Sequence, residues 1–198
     1  MRTNFVLIDY ENVQPATIES LNHEHIKLLI FVGANQTKVP IEIAVALQQL
    51  GSRASYVKIS GNGSNALDFH IAFYIGQLAA QEPSAYFHIV SKDTGFDPLI
   101  QHLKSKKIFA NRVQNVNDIP RVKIALASTL DAQVEVIITS LQGNKSSKPR
   151  TIKTLSSTIN AIFLKKLSEA ELEALINQLK TMGLIEVDDT KVSYKLTS

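Results

Sequence analysis

The sequence predicts an α/β fold with a mainly parallel central sheet, followed by a small module of helices and a hairpin. Three observations carry this. Near-continuous apolar runs recur at about 4–9, 27–32, 54–59, 86–91 and 107–113, the pattern of strands buried on both faces. Helical patterns separate them, as in repeated β-α units. After about residue 120 the alternation stops, and helical segments lead to a closing pair of short strands.

The first strand, Phe5-Val6-Leu7-Ile8, starts directly after a four-residue N-terminus and runs into Asp9-Tyr10-Glu11-Asn12. Pro40 to Leu50 is mostly apolar and stops at Gly51, a helix C-terminal signal. Asn65 to Ala80 carries Leu67, Ile71, Tyr74, Ile75 and Leu78 at helical spacing. Tyr86-Phe87-His88-Ile89-Val90 runs into Ser91-Lys92-Asp93, and Phe96 to Lys104 follows as a helix. Right-handed crossovers place the carboxyl ends of all these strands on one edge.

Val122 to Leu141 reads as one long helical segment, and the polar, breaker-rich stretch 142–149 as a linker. Thr151 to Phe163 reads as a helix. Ser168 with Glu171 forms a capping box for the next helix, which Gly183 ends. Leu184 to Val187, a turn at Asp188-Asp189-Thr190, and Lys191 to Leu196 form a hairpin. Helices followed by a hairpin suggest a winged helix. The expected boundaries are a sheet domain at 1–120, a connecting helix at 121–142, a basic linker at 143–150 and the winged-helix-like module at 151–198.

Composition narrows the function. The chain has 198 residues, 44% hydrophobic and 20% charged, which suits a globular protein rather than a disordered one. It has no cysteine, so disulfides, thiolate metal sites and cysteine nucleophiles are excluded. With no secretory h-region and no membrane-length apolar run, the expectation is a cytoplasmic protein without membrane partners. The net charge of +3 decides little, but its distribution says more. Residues 98–117 hold Lys104, Lys106, Lys107 and Arg112 with no acid, and residues 143–153 hold Lys145, Lys148, Arg150 and Lys153 with no acid. Such stretches suit a polyanionic substrate, or simply solvate a surface.

Four aspartates carry the chemistry: Asp9, Asp68, Asp93 and Asp97. Asp9 and Asp93 follow buried strands, where an unpaired acid is costly. Carboxylates gathered at one strand edge repel each other unless a cation joins them. Mg²⁺ or Mn²⁺, which prefer oxygen ligands, are the natural candidates. Plainer readings exist. Asp68 and Asp97 could complement helix N-termini, and Asn12 could be a helix cap. Glu11 is expected to point away from the face of Asp9. The histidines show no zinc-like spacing.

Leu7-Ile8-Asp9-Tyr10-Glu11-Asn12-Val13 resembles the opening strand of the NYN branch of PIN-like nucleases. Phe31-Val32-Gly33-Ala34-Asn35-Gln36 resembles that family's second-strand loop, Asn65-Ala66-Leu67-Asp68 its central acid, and the stretch from Val90 to Ile100 its fourth-strand motif. The resemblance covers roughly residues 4–115, in the family's order. It implies a PIN-like three-layer α/β/α fold and metal-dependent cleavage of RNA, single-stranded above all. It also implies that Asp9, Asp68, Asp93 and Asp97 form the catalytic and metal-binding set, with Asn12, Asn35 and Ser91 at substrate. Lys145, Lys148 and Arg150 are added as phosphate contacts from their charge. One departure stands out: the family's usual second acid of the last motif is Gly95 here, with Asp97 nearby instead. The alternatives are a PIN-like module that binds RNA or protein without cutting, and a DNA nuclease on the same site. The C-terminal module is expected to contact RNA, a protein partner or a second copy of the chain.

Overall fold

A computed structural model of the chain describes residues 2–143 and 148–196. The chain divides into two compact units, with the boundary between Val122 and Lys123. Among the described residues no helix is long and apolar enough to cross a membrane.

The first unit contains β1 (Asn4–Asp9), β2 (Ile26–Val32), α1 (Ile41–Leu50), β3 (Ala54–Lys58), α2 (Ala66–Gln81), β4 (Tyr86–Val90), α3 (Phe96–Ser105) and β5 (Phe109–Val113). The five strands form one sheet in the order β3-β2-β1-β4-β5, and every pairing is parallel. The α/β class with a parallel sheet is as the sequence predicts.

Strand geometry sends successive side chains to opposite faces. Val6 and Ile8 pack with Ile43, Leu47 and Leu50 of α1, while Phe5 and Leu7 pack with Ile71 and Ile75 of α2 and with Phe96, Ile100 and Leu103 of α3. The sheet is thus covered on both faces, which explains its unbroken apolar strands. The same alternation assigns Asp9, the next odd position, to the face of α2 and α3.

Two expectations change. The strand expected from residue 107 begins at Phe109, because α3 unwinds through Lys107 in a left-handed conformation with φ 62°. The amide of Ile108 donates back to Leu103 O at 2.9 Å, closing the helix end. The single long helix expected over 122–141 is instead two, α4 (Pro120–Leu126) and α5 (Leu130–Gly143). Thr129 starts the second: its Oγ1 accepts from the amide of Ala132 at 3.2 Å, the arrangement of a helix cap.

The second unit continues with α6 (Ile152–Ile162), α7 (Glu169–Thr181) and an antiparallel pair, β6 (Ile185–Asp188) and β7 (Lys191–Tyr194). Both α6 and α7 start in reciprocal capping boxes, at Thr151 with Thr154 and at Ser168 with Glu171. Ile137, Leu155, Ile159, Leu175 and Leu179 form its core. The described end of the expected linker is held to the hairpin. Val192 N donates to Arg150 O at 2.9 Å, and Tyr194 Oη to Pro149 O at 2.7 Å.

Candidate metal centre

The strand order turns back at β1: β2 and β3 lie on one side of it, β4 and β5 on the other. In parallel sheets such a switch opens a crevice at the carboxyl ends of the two strands. Asp9 ends β1, and Ser91 and Asp93 follow β4, so these residues flank that crevice.

Asp9 is almost fully buried, 1% exposed, and its carboxylate is well supplied with donors. Asn12 donates its backbone N–H to Oδ1 at 3.2 Å and its side-chain amide to Oδ2 at 2.7 Å. Ser91 Oγ donates to Oδ2 at 2.7 Å. The same Ser91 oxygen accepts from Asp93 N at 3.1 Å, so one buried hydroxyl ties Asp9 to the loop carrying Asp93. Asp93 Oδ1 in turn accepts from Gly95 N at 2.7 Å. A β-carbon on residue 95 would lie 3.0 Å from that oxygen, so glycine leaves the carboxylate room against the backbone.

Asp68 sits in the first turn of α2. Its carboxyl is pushed up to about 6, first by burial and then by the charges of Asp9, Asp93 and Glu11. A helix N-terminus would favour the charged form. The upward shift therefore places Asp68 in an environment set by burial and neighbouring acids, rather than by its helix end.

Glu11 belongs to this acidic group, contrary to the expectation that it points away. The strand ends at Asp9, whose carbonyl accepts from Asn12 N at 3.2 Å and from Val13 N at 2.8 Å. That turn breaks the two-residue alternation. The Glu11 side chain lies over Gly33, where a β-carbon would overlap its Oε1. The small residue at the end of β2 was the available signal in the sequence.

Asp97 is paired with a cation. Arg112 Nε meets its Oδ1 at 2.8 Å and Nη2 its Oδ2 at 3.1 Å. This pairing holds the Asp97 carboxyl below its usual range. Asp97 is not among the acids acting on Asp68. The ion pair with Arg112 matches the Asp97 charge, so Asp97 is expected at the site with its carboxylate already partnered. Arg112, read from the sequence only as part of a basic stretch, also donates Nη1 to Ser91 O at 3.2 Å.

The residues expected at substrate divide. Ser91 is fully buried and donates its hydroxyl to Asp9, so in this structure it orients a carboxylate. Asn12 likewise holds Asp9. Asn35 is exposed on the loop after β2. Lys145 lies outside the described residues. Lys148 and Arg150 are exposed in the second unit, with Lys148 Nζ 5.7 Å from the centre of the Tyr194 ring.

The donors offered by Asp9, Asp68, Asp93 and Glu11 are all carboxylate oxygens, which fits a hard divalent cation. The uncompensated repulsion felt by Asp68 is what such a cation would relieve. Among the described residues, no three acids or imidazoles close on a common point, so the arrangement is open.

The sequence model of a family described as PIN domain matches residues 3–113, more than half of the chain. No curated protein matches the chain. Among solved structures, the U34-tRNA thiolase NcsA from Methanococcus maripaludis with its 4Fe-4S cluster aligns over 99% of this chain and 76% of that chain, at 10% identity and a TM-score of 0.31.

Proposed function

The chain belongs to the PIN domain family, and on that premise we propose that it is a metal-dependent ribonuclease. Asp9, Asp68 and Asp93 would hold Mg²⁺ or Mn²⁺, with Glu11 beside them. The observation that carries this reading is the meeting of acids from separate elements at one sheet edge: Asp9 ends β1, Asp93 follows β4, and Asp68 opens α2, with its carboxyl raised first by burial and then by the charges of Asp9, Asp93 and Glu11. A divalent ion held there would supply charge neutralisation at the reacting phosphate and lower the pKa of a water molecule.

The chain's own residues prepare the rest. Ser91 and Asn12 fix the Asp9 carboxylate before substrate arrives, so it need not reorganise. Gly95 allows Asp93 to stay anchored to the start of α3. Arg112 matches Asp97, keeping that acid from adding to the local negative charge. Within the family we assign the chain to the NYN branch, on its opening-strand motif and ordered acids. The second unit is proposed as a winged-helix-like module. There Lys148 and Arg150 would add phosphate contacts, while Glu169, Glu171 and Glu173 make the start of α7 unsuited to phosphate.

One observation favours a second reading, binding of RNA without cleavage: the acids do not close on one point. Purified protein incubated with end-labelled single-stranded RNA, in Mn²⁺ or in EDTA, separates the two. Fragments that require Mn²⁺ and vanish in Asp93→Asn support the nuclease. Bound but intact RNA, with the same affinity in EDTA, supports the binding module.

A further inference from the structure

Helix α2 carries two large apolar side chains into solvent. Phe69 is 70% and Phe73 65% exposed, among the most exposed large hydrophobics described. They stand four residues apart, hence on the same helix face and about 6 Å apart along its axis. Phe69 directly follows Asp68, so the pair starts at the acidic centre and leads away from it. Phe73 is steadied edge-on by Tyr74, with ring centroids 5.8 Å apart, and Tyr74 rests edge-on against buried Phe31 at 5.3 Å. The rings are therefore backed by the core although their faces are open.

We propose that Phe69 and Phe73 form a stacking platform for unpaired bases of a single-stranded nucleic acid whose backbone runs past the acidic centre. This rests on the nuclease reading for its location and extends it to how the substrate is held.

The surroundings choose this occupant over a protein. The remaining exposed positions of α2, including Gly76, Gln77 and Ala80, are small or uncharged, so the large apolar surface is confined to the half of the helix beside the acids. A docked helix is anchored by apolar side chains recurring over several turns, whereas on α2 the exposed large apolar side chains are Phe69 and Phe73, one turn apart. No acid shares the exposed face with the two rings. Cations lie at the same sheet edge: Lys58 ends β3, and Lys92 separates Ser91 from Asp93. Both are exposed and have no ion-pair partner among the described residues. Aromatic faces for bases with nearby lysines for phosphates is the chemistry that binds single strands without reading sequence. A duplex hides its base faces in its own stack and would not use the platform.

The chain has no tryptophan, which provides a direct test. Phe69→Trp and Phe73→Trp each introduce a single indole whose emission a stacked base quenches. Titrations in EDTA, so that nothing is cut, use oligouridylate, oligothymidylate, duplex RNA and inorganic polyphosphate. The expected result is quenching by single strands and none by duplex or polyphosphate; the two oligonucleotides distinguish RNA from DNA. Phe69→Ala and Phe73→Ala should each weaken single-strand binding about tenfold, with the salt slope unchanged because no counterions are involved. Lys58→Ala with Lys92→Ala should flatten that slope.

Unquenched indoles together with unchanged affinity in both alanine variants overturn the platform, as does an absence of any binding. So does a dimer, detected by light scattering, that the alanine variants dissociate without altering RNA affinity. The nuclease reading fails separately. Quenching with intact RNA in Mn²⁺ keeps the platform and removes the nuclease, whereas full cleavage and affinity in the alanine variants does the reverse.

Discussion

Arg112 holds Asp97 through two parallel contacts of 2.8 and 3.1 Å, and the same guanidinium reaches the carbonyl of Ser91 at 3.2 Å. An acid that the motif spacing offers to a metal is thereby committed to a neighbouring strand. Asp97→Asn should retain most of the wild-type cleavage rate across a Mn²⁺ titration. Asp93→Asn should lose more than about 100-fold, beyond the usual effect of removing a supporting group. Equal losses in both variants would return Asp97 to the ligand set. Arg112→Ala should be worse than Asp97→Asn, since it frees an acid and also releases the Ser91 loop.

Ser91 donates its hydroxyl to Asp9, 82 positions away in sequence, and accepts from Asp93 N. Ser91→Ala leaves the nearly buried Asp9 carboxylate one donor short. The expected loss of stability is about 1–3 kcal/mol, the usual cost of an unsatisfied buried group. Urea unfolding measures it. An unchanged midpoint would show that this hydrogen bond contributes nothing net. Metal affinity, read by calorimetry, should fall as well, because Asp9 loses its orientation.

Asp68 should make the metal-free protein less stable as pH rises. Its folded pKa of about 6 lies above the ordinary aspartate value near 4. Between those values the folded state holds more protons than the unfolded one, so stability declines from about pH 4 through pH 6 and stays low above that. Asp68→Asn should therefore melt higher than wild type at pH 7.5 and equally at pH 4. Saturating Mn²⁺ should close the gap at pH 7.5 by stabilising wild type alone. A variant less stable than wild type at pH 7.5 without metal would contradict the repulsion.

His88 should impose the opposite trend. It is buried, 4% exposed, and burial lowers its pKa to about 4, below the ordinary 6.5. Its ring lies between Asn111 Oδ1 at 2.7 Å and Asn4 Oδ1 at 3.0 Å. Asn4 Nδ2 is already directed to Arg2 O, so a neutral ring donates from Nε2 to Asn4, and the Asn111 amide turns to donate to Nδ1. Stability is then fully present above about pH 6.5 and is lost as pH falls towards 4, by up to about 3 kcal/mol. His88→Gln should flatten the melting profile between pH 7 and 4.5. An equally steep profile in the variant would place the acid sensitivity elsewhere.

The sequence by itself determined the strands of the first unit and most helices in their order, though not the break that divides 122–141 into α4 and α5. Apolar runs such as Phe5 to Ile8 and Tyr86 to Val90 read as strands covered on both sides, and their alternation with helices pointed to a parallel sheet. Local capping chemistry was equally legible: Ser168 with Glu171 marked the start of α7 because both halves of that interaction lie within four residues. Asp9, Asp68 and Asp93 could be selected because an acid beside a buried strand or helix start is conspicuous.

Only the tertiary structure decided what each acid meets. Which side of the sheet a strand joins is not written in its own residues, and the reversal at β1 is what brings Asp9 beside Ser91. The partner of Asp97 sits on β5, fifteen residues on, within a stretch whose charge gave no sign that one arginine would be nearly buried. Glu11 joined the acidic group because a turn after β1 ended the strand's alternation and Gly33, directly after the adjacent strand, left it space. Periodicity reports how a segment meets its own neighbours. Charges interact through space, so the fate of each carboxylate depends on residues that only folding brings near.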